Sequence, residues 1–180
     1  MIRTLFVALG IGALLSACAS APPTIPPVAS VDMPRFMGDW YVIAQIPTYI
    51  ERKAFDSVES YRLDADGKIR TTFRYRNGSA DAPLKTMEPV GRVVPGTNNA
   101  VWEMQFVWPI QAEYVIVDLA PDYSRTIVGR SKRDYVWLMA RTPSLPAPEL
   151  AAAIEKIRTL GYDTSKLRMV PQAAANAAPP

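Results

Sequence analysis

The chain has 180 residues, of which 49% are hydrophobic and 21% charged, enough apolar material for one domain with a real core and too much for a disordered chain. A formal net charge of +3, spread over scattered Lys and Arg, argues against a nucleic-acid partner. The absence of histidine and the single cysteine exclude Ser–His–Asp and Cys–His catalysis, imidazole-based metal or haem sites and any intrachain disulfide, so no metal and no cofactor is expected.

Arg3 precedes the apolar run "LFVALGIGALL" at positions 5–15, which has the form of a secretory signal and is too short for a bilayer span of roughly 20 residues. Leu15-Ser16-Ala17-Cys18 then resembles the bacterial lipobox, in which a small-residue cleavage site ends at a cysteine. That resemblance implies a signal peptide over 1–17 and lipidation of Cys18, whose several acyl chains would hold the protein stably on a membrane. The Pro/Ala-rich stretch 18–32 reads as an extended tether, and 172–180 as a low-complexity tail. The folded domain is expected over 33–171.

Strand-like runs recur through that domain at short spacing. The first, 40–46, follows Gly38-Asp39 and ends before Pro47. Runs 57–63 and 69–75 flank Asp66-Gly67, a strong hairpin signal, and Asn77-Gly78 closes the second of them. Arg70, Arg74 and Arg76 alternate with Phe73 and Tyr75, as on a strand with one solvated face. Runs 84–94 and 100–107 flank the turn cluster Pro95-Gly96-Thr97-Asn98-Asn99. Runs 113–119, 125–129 and 134–141 complete eight strands in simple succession. Segment 148–160 is helical in composition, with Leu150, Ile154 and Ile157 spaced for one apolar face and Gly161 just past its end. A short strand at 167–170 follows. Eight sequential antiparallel strands and one C-terminal helix predict an all-β fold, an eight-stranded antiparallel up-and-down β-barrel with the helix packed outside, because closure removes exposed strand edges.

Several residues in this order resemble the lipocalin family. Gly38-Asp39-Trp40 is similar to the Gly-x-Trp signature of its first strand; Asp122-Tyr123, to its second motif, a turn between two late strands; and Arg141, to the arginine ending its last barrel strand. "YVWLMARTP" at 135–143 and "GYDTSKL" at 161–167 resemble the bacterial outer-membrane lipoprotein lipocalins in particular. The resemblance implies that Arg141 packs across Trp40 at the closed end of the barrel, a structural cation–π contact of about 1–2 kcal/mol when partly desolvated. Independently, alternation puts Tyr135, Trp137, Met139 and Arg141 on one side of their strand and Val136, Leu138 and Ala140 on the other. An apolar residue on both sides fits a strand facing the barrel interior and covered outside by the helix.

The function implied is binding rather than reaction. Phe73, Tyr75, Trp102, Met104, Phe106, Tyr114 and Trp137 are the expected cavity lining; parity groups Trp102, Met104 and Phe106 on the inner face and leaves the side of Tyr114 open. Met87 and Met139 are further candidates, and Arg52, Lys53 or Lys85 could meet a head group at the rim. No distinctive inward carboxylate pair is visible. The resemblance implies a lipid-anchored protein on the periplasmic face of the bacterial outer membrane that binds, stores or transports fatty acids or lysophospholipids. It also raises a homodimer, for which the sequence shows no interface. Two rivals stay open: a lipocalin-fold enzyme acting on a lipid, and a structural envelope lipoprotein whose barrel is filled.

Overall fold

The structure, a computed structural model, describes residues 25–173; the signal segment, Cys18 and most of the C-terminal tail lie outside the described residues. A short helix α1 (Met33–Phe36) leads into β1 (Gly38–Ile46), β2 (Ala54–Leu63), β3 (Lys68–Asn77), β4 (Leu84–Met87), β5 (Val90–Val93), β6 (Val101–Val107), β7 (Ile110–Leu119), β8 (Arg125–Gly129) and β9 (Val136–Ala140). Helix α2 (Ala147–Thr159) and the two-residue strand β10 (Arg168–Met169) follow. The strands pair antiparallel in the order β1-β2-β3-β5-β6-β7-β8-β9, with β4 beside β3 and β10 beside β1, and β9 returns to β1 with Tyr41 opposite Ala140 and Ile46 opposite Val136. The sheet is therefore a closed eight-stranded barrel in which β4 and β5 are two halves of one strand.

The expected single strand over 84–94 is broken at Glu88-Pro89. Proline has no N–H to give a ladder, and the Pro89 carbonyl instead accepts from the Thr71 amide at 3.1 Å. Both halves still pair with β3, β4 along Phe73–Arg76 and β5 along Lys68–Arg70.

Two apolar clusters occupy the two faces of the sheet. Phe36, Trp40, Tyr61, Phe73, Trp102, Tyr114, Trp137 and Met139 belong to the inner one. Ile43, Val115, Ile127, Val136, Leu138 and Ala140 belong to the outer one, beneath Ala153 and Ile157 of α2. The expected helix face is rotated slightly: Ala153, with Leu150 and Ile157, makes the contact, and Ile154 is only half-buried. A small Ala side chain lets the helix axis approach the sheet closely. Beyond the helix, the Tyr162 hydroxyl accepts from the Arg130 amide at 2.8 Å and donates to its carbonyl at 3.1 Å, which pins the C-terminal segment to β8.

Residues 25–32, within the stretch expected as a tether, run against the barrel. Ile25 and Val31 are buried. The Val28 and Val31 amides donate to the carbonyls of Ile116 and Asn98, and the Asn98 and Asn99 side chains donate to those of Ala29 and Val31. The physical reason is the three-residue spacing of Ile25, Val28 and Val31, which gives an extended Pro-containing segment one apolar edge.

Candidate functional site: an apolar cavity with a polar lower wall

Trp40 sets the closed end. It is fully buried, donates from Nε1 to the Phe36 carbonyl at 2.8 Å, and lies under the Arg141 guanidinium at 3.8 Å from ring centroid to Cζ. Arg141 also donates from Nη2 to the carbonyls of Arg35, Phe36 and Met37, and from Nη1 to that of Asp39. Those carbonyls belong to α1 and the chain just after it, so one side chain ties the plug to β9. Gly38 holds a φ of +96°, a left-handed conformation that L side chains resist. Desolvation lowers the pKa of Arg141, against the opposing pull of Asp39. The second expected motif sits at the same end. Tyr123 accepts the Asp32 amide at 2.8 Å, and the Arg35 guanidinium lies 4.0 Å above the Tyr123 ring. Asp122 accepts from the amide and hydroxyl of Ser124, which lowers its pKa.

Above this plug the barrel holds a cavity of about 320 Å³ that opens between the β1–β2 loop, the β6–β7 hairpin and the β8–β9 loop. Of the residues expected to line it, Phe73, Met104, Phe106, Tyr114 and Trp137 do, with Phe106 at the mouth and about half exposed. Trp102 is fully buried lower in the barrel, stacked on Tyr114 at 5.1 Å and edge-on to Phe36, with its Nε1 donating to Asn99. Tyr75 is a buried neighbour of the lining, stacked on Phe73 at 4.9 Å. Met87 joins the wall, while Met139 is core. Tyr114, whose side the sequence left open, faces inward with Ile116, and Val115 and Val117 face out.

Arg52, Lys53 and Lys85 are all exposed and do not line the cavity. The cation that does is Arg130 at the mouth, where Nη1 is tied to Asp134 at 3.2 Å.

The main correction concerns carboxylates. Glu51 and Glu59 are both buried and both line the cavity. Glu51 accepts from Trp137 Nε1 at 2.9 Å and from the Thr48 amide at 3.1 Å and hydroxyl at 2.5 Å. Glu59 accepts from the Tyr61 hydroxyl, which is itself hydrogen-bonded to the hydroxyl of Tyr114. Burial raises the pKa of Glu59 to about 8, with repulsion from Glu51 adding to it, so the carboxyl is largely neutral at pH 7. Burial likewise pushes Tyr114 up, Glu59 adding to it.

The inward phase of β2 is Ser57, Glu59, Tyr61, all buried, while Val58, Ser60 and Arg62 face outward or lie half-covered. A reading that sends apolar residues inward would place Val58 inside instead. The usable signal was Tyr61: counting back by two from that aromatic reaches Glu59.

Among the described residues no group of three or more His, Cys, Asp or Glu could hold a metal ion, and no helix is long and apolar enough to cross a membrane.

Residues 31–172 match the lipocalin-like domain family. The chain is 28% identical to the outer membrane lipoprotein Blc of Vibrio cholerae over 173 residues, 94% of this chain and 99% of that one. It is 27% identical to temperature-induced lipocalin-1 of Arabidopsis thaliana, covering 81% of each chain. In structure it superposes on insecticyanin of the tobacco hornworm Manduca sexta with a TM-score of 0.65 at 19% identity, over 85% of this chain and 87% of that one. The closed barrel, the Trp40–Arg141 plug and these matches together place the chain in the lipocalin family.

Proposed function

We propose that the protein binds one small hydrophobic ligand at a time in the barrel cavity, a fatty acid or the acyl chain of a lysophospholipid, and does so at the bacterial outer membrane, held there by lipid on Cys18. The observation that carries this is the cavity itself: about 320 Å³, mostly apolar, shut at one end and open at the other. That volume lies at the lower end of the roughly 300–1,000 Å³ usual for ligand sites, which suits a single chain and argues against both a diacyl lipid and a filled barrel. Each methylene moved from water into such a wall contributes about 0.8 kcal/mol, so an acyl chain supplies most of its own affinity. An acid entering tail first leaves its carboxylate at the mouth beside Arg130. The resemblance to outer membrane lipoprotein Blc over nearly the whole chain supports the location.

The test is to extract the purified protein, identify retained lipid by mass spectrometry, and titrate the stripped protein with palmitate and a lysophospholipid. Trp137, in the wall, reports binding by its fluorescence. Saturable titration with the ligand recovered intact supports the reading. Absence of both retained lipid and titration refutes it, and steady consumption of the ligand would make the protein an enzyme.

A further inference from the structure

A wholly apolar ligand leaves part of the cavity wall badly matched. Glu59, 9% exposed, lines the cavity with one carboxyl oxygen, Oε2, engaged by Tyr61; nothing among the described residues bonds its Oε1. Thr71, 3% exposed and also in the wall, has a hydroxyl that is itself buried and without a hydrogen-bond partner, so a ligand meets it by a turn of the Thr71 side chain. The two side chains project from β2 and β3, where Tyr61 pairs with Thr71 and Glu59 with Phe73, so they sit on neighbouring rungs of one inner face. The buried Thr71 hydroxyl is destabilising unless something completes its hydrogen bond.

We propose that Glu59 and Thr71, backed by the hydroxyl pair of Tyr61 and Tyr114, form a hydrogen-bonding subsite in the lower cavity wall that takes the oxygen of an uncharged polar group, a hydroxyl or carbonyl, on an otherwise apolar ligand. This rests on the cavity being a ligand site and narrows which ligands it prefers.

The charges around the subsite set its selectivity. No Lys or Arg lines the lower wall; Arg130 is at the mouth and bound to Asp134, while Glu51 and Glu59 both face the space. A carboxylate brought to the depth of Glu59 would meet that acid, with Glu51 on the β1–β2 loop above it, and no cation. An ammonium would find Glu51 already engaged by Trp137 and Thr48, and Glu59 held neutral by its burial. A neutral carboxyl with a free Oε1 can donate to a ligand oxygen and accept from a ligand hydroxyl. A fatty acid therefore binds with its head outward, whereas a lipid alcohol or ketone reaches the lower wall with its oxygen.

The experiment compares decanol, decanoate and decylamine on the purified protein at pH 7, following Trp137 fluorescence, in the native protein and in Glu59→Leu, Glu59→Gln and Thr71→Val. One hydrogen bond to a buried partner corresponds to roughly a two- to tenfold change in affinity. Decanol should lose that factor in Glu59→Leu, and part of it in Thr71→Val. It should keep its affinity in Glu59→Gln, whose amide still donates and accepts, and decanoate should change little in any of them. If Glu59→Leu does not fold, Thr71→Val alone decides. Decanol affinity unchanged by the Leu and Val substitutions overturns the subsite while leaving the cavity a ligand site. Decylamine binding more tightly than decanol overturns the preference for uncharged groups. Failure of all three ligands to bind refutes the ligand-site reading itself.

Discussion

Glu59→Gln should remove a pH dependence of stability that the native protein shows between about pH 4.5 and 8. The folded chain holds the Glu59 pKa at about 8, against an ordinary value of 4.5, because burial disfavours its charge and Glu51 adds repulsion. Between those two values the folded protein keeps a proton that the unfolded chain has lost. The stability is thus greatest at the acid end of the interval, falls as pH rises through it, and levels off above about 8. At about 1.4 kcal/mol per pH unit, the interval amounts to about 5 kcal/mol. Little else titrates there. The sequence has no histidine. The carboxyls of Asp66, Asp122, Glu155 and Asp163 are held below their ordinary values by hydrogen bonds, so their stabilising contributions are complete above about pH 4.5 and lost only as pH falls below it. Tyr114 and Tyr162 are raised above an ordinary value of 10. Urea unfolding followed by tryptophan fluorescence at pH 5.5, 7.0 and 8.5 reads the effect. With a urea slope of 1–3 kcal/mol per molar, the midpoint should drop by roughly 0.5–1.4 M per pH unit below pH 8 in the native protein and stay level in Glu59→Gln. A native midpoint that is constant or rises with pH would show that Glu59 is not held neutral, and an equal slope in both proteins would assign the titration to another group.

The closed end, the outer face and the cavity each give a further test. Trp40→Ala removes a fully buried indole and should lower stability by about 3–5 kcal/mol in urea unfolding. Arg141→Lys keeps the charge but loses the fork that reaches four carbonyls, and should cost about 2 kcal/mol or more by the same assay. Gly129→Ala would put a methyl 2.3 Å from the Tyr162 hydroxyl and push it off the Arg130 backbone; a loss of about 1–3 kcal/mol is expected, with faster proteolysis beyond β9. Trp137→Phe removes a donor to Glu51 and should abolish most of the fluorescence response to ligand, while calorimetry still detects binding.

The closed end was legible in the sequence because its determinants are specific residue types at fixed places. A glycine with positive φ, an indole two residues later and an arginine at the end of the last barrel strand can be found without knowing the register of any strand. The two-sided burial of β9 was also legible, since Tyr135 to Ala140 is apolar or aromatic in both phases. Helix α1 was not, because four residues are too few to show a period and its stability comes from the Asp32 cap and the carbonyls that Arg141 collects. The docking of residues 25–32 was hidden in a Pro/Ala-rich composition that ordinarily marks a free linker.

The polar wall was the hardest feature to read, and the reason bears on function. Binary patterning assigns Glu to the outside of a strand, and this is right wherever water is the only available partner. Glu59 can be inside because Tyr61 and Tyr114 supply hydroxyls from β2 and β7, and Glu51 because Trp137 supplies an indole N–H from 86 residues away. Tyr61 is local, but no local pattern encodes the partners Tyr114 and Trp137, which come from other strands. At the closed end the chain completes its polar groups itself: the Trp40 and Trp102 N–H groups each reach a carbonyl, and Arg141 reaches four. In the wall, Glu59 Oε1 and the Thr71 hydroxyl are left for something other than the chain to complete. A barrel selected only for stability would gain by replacing Glu59 with leucine, which removes a buried carboxyl and adds apolar contact. Glu59→Leu should therefore be at least as stable as the native protein at pH 8.5 and weaker in binding a lipid alcohol. A variant that lost stability at that pH while binding the alcohol normally would mean that the carboxyl serves the fold rather than the ligand.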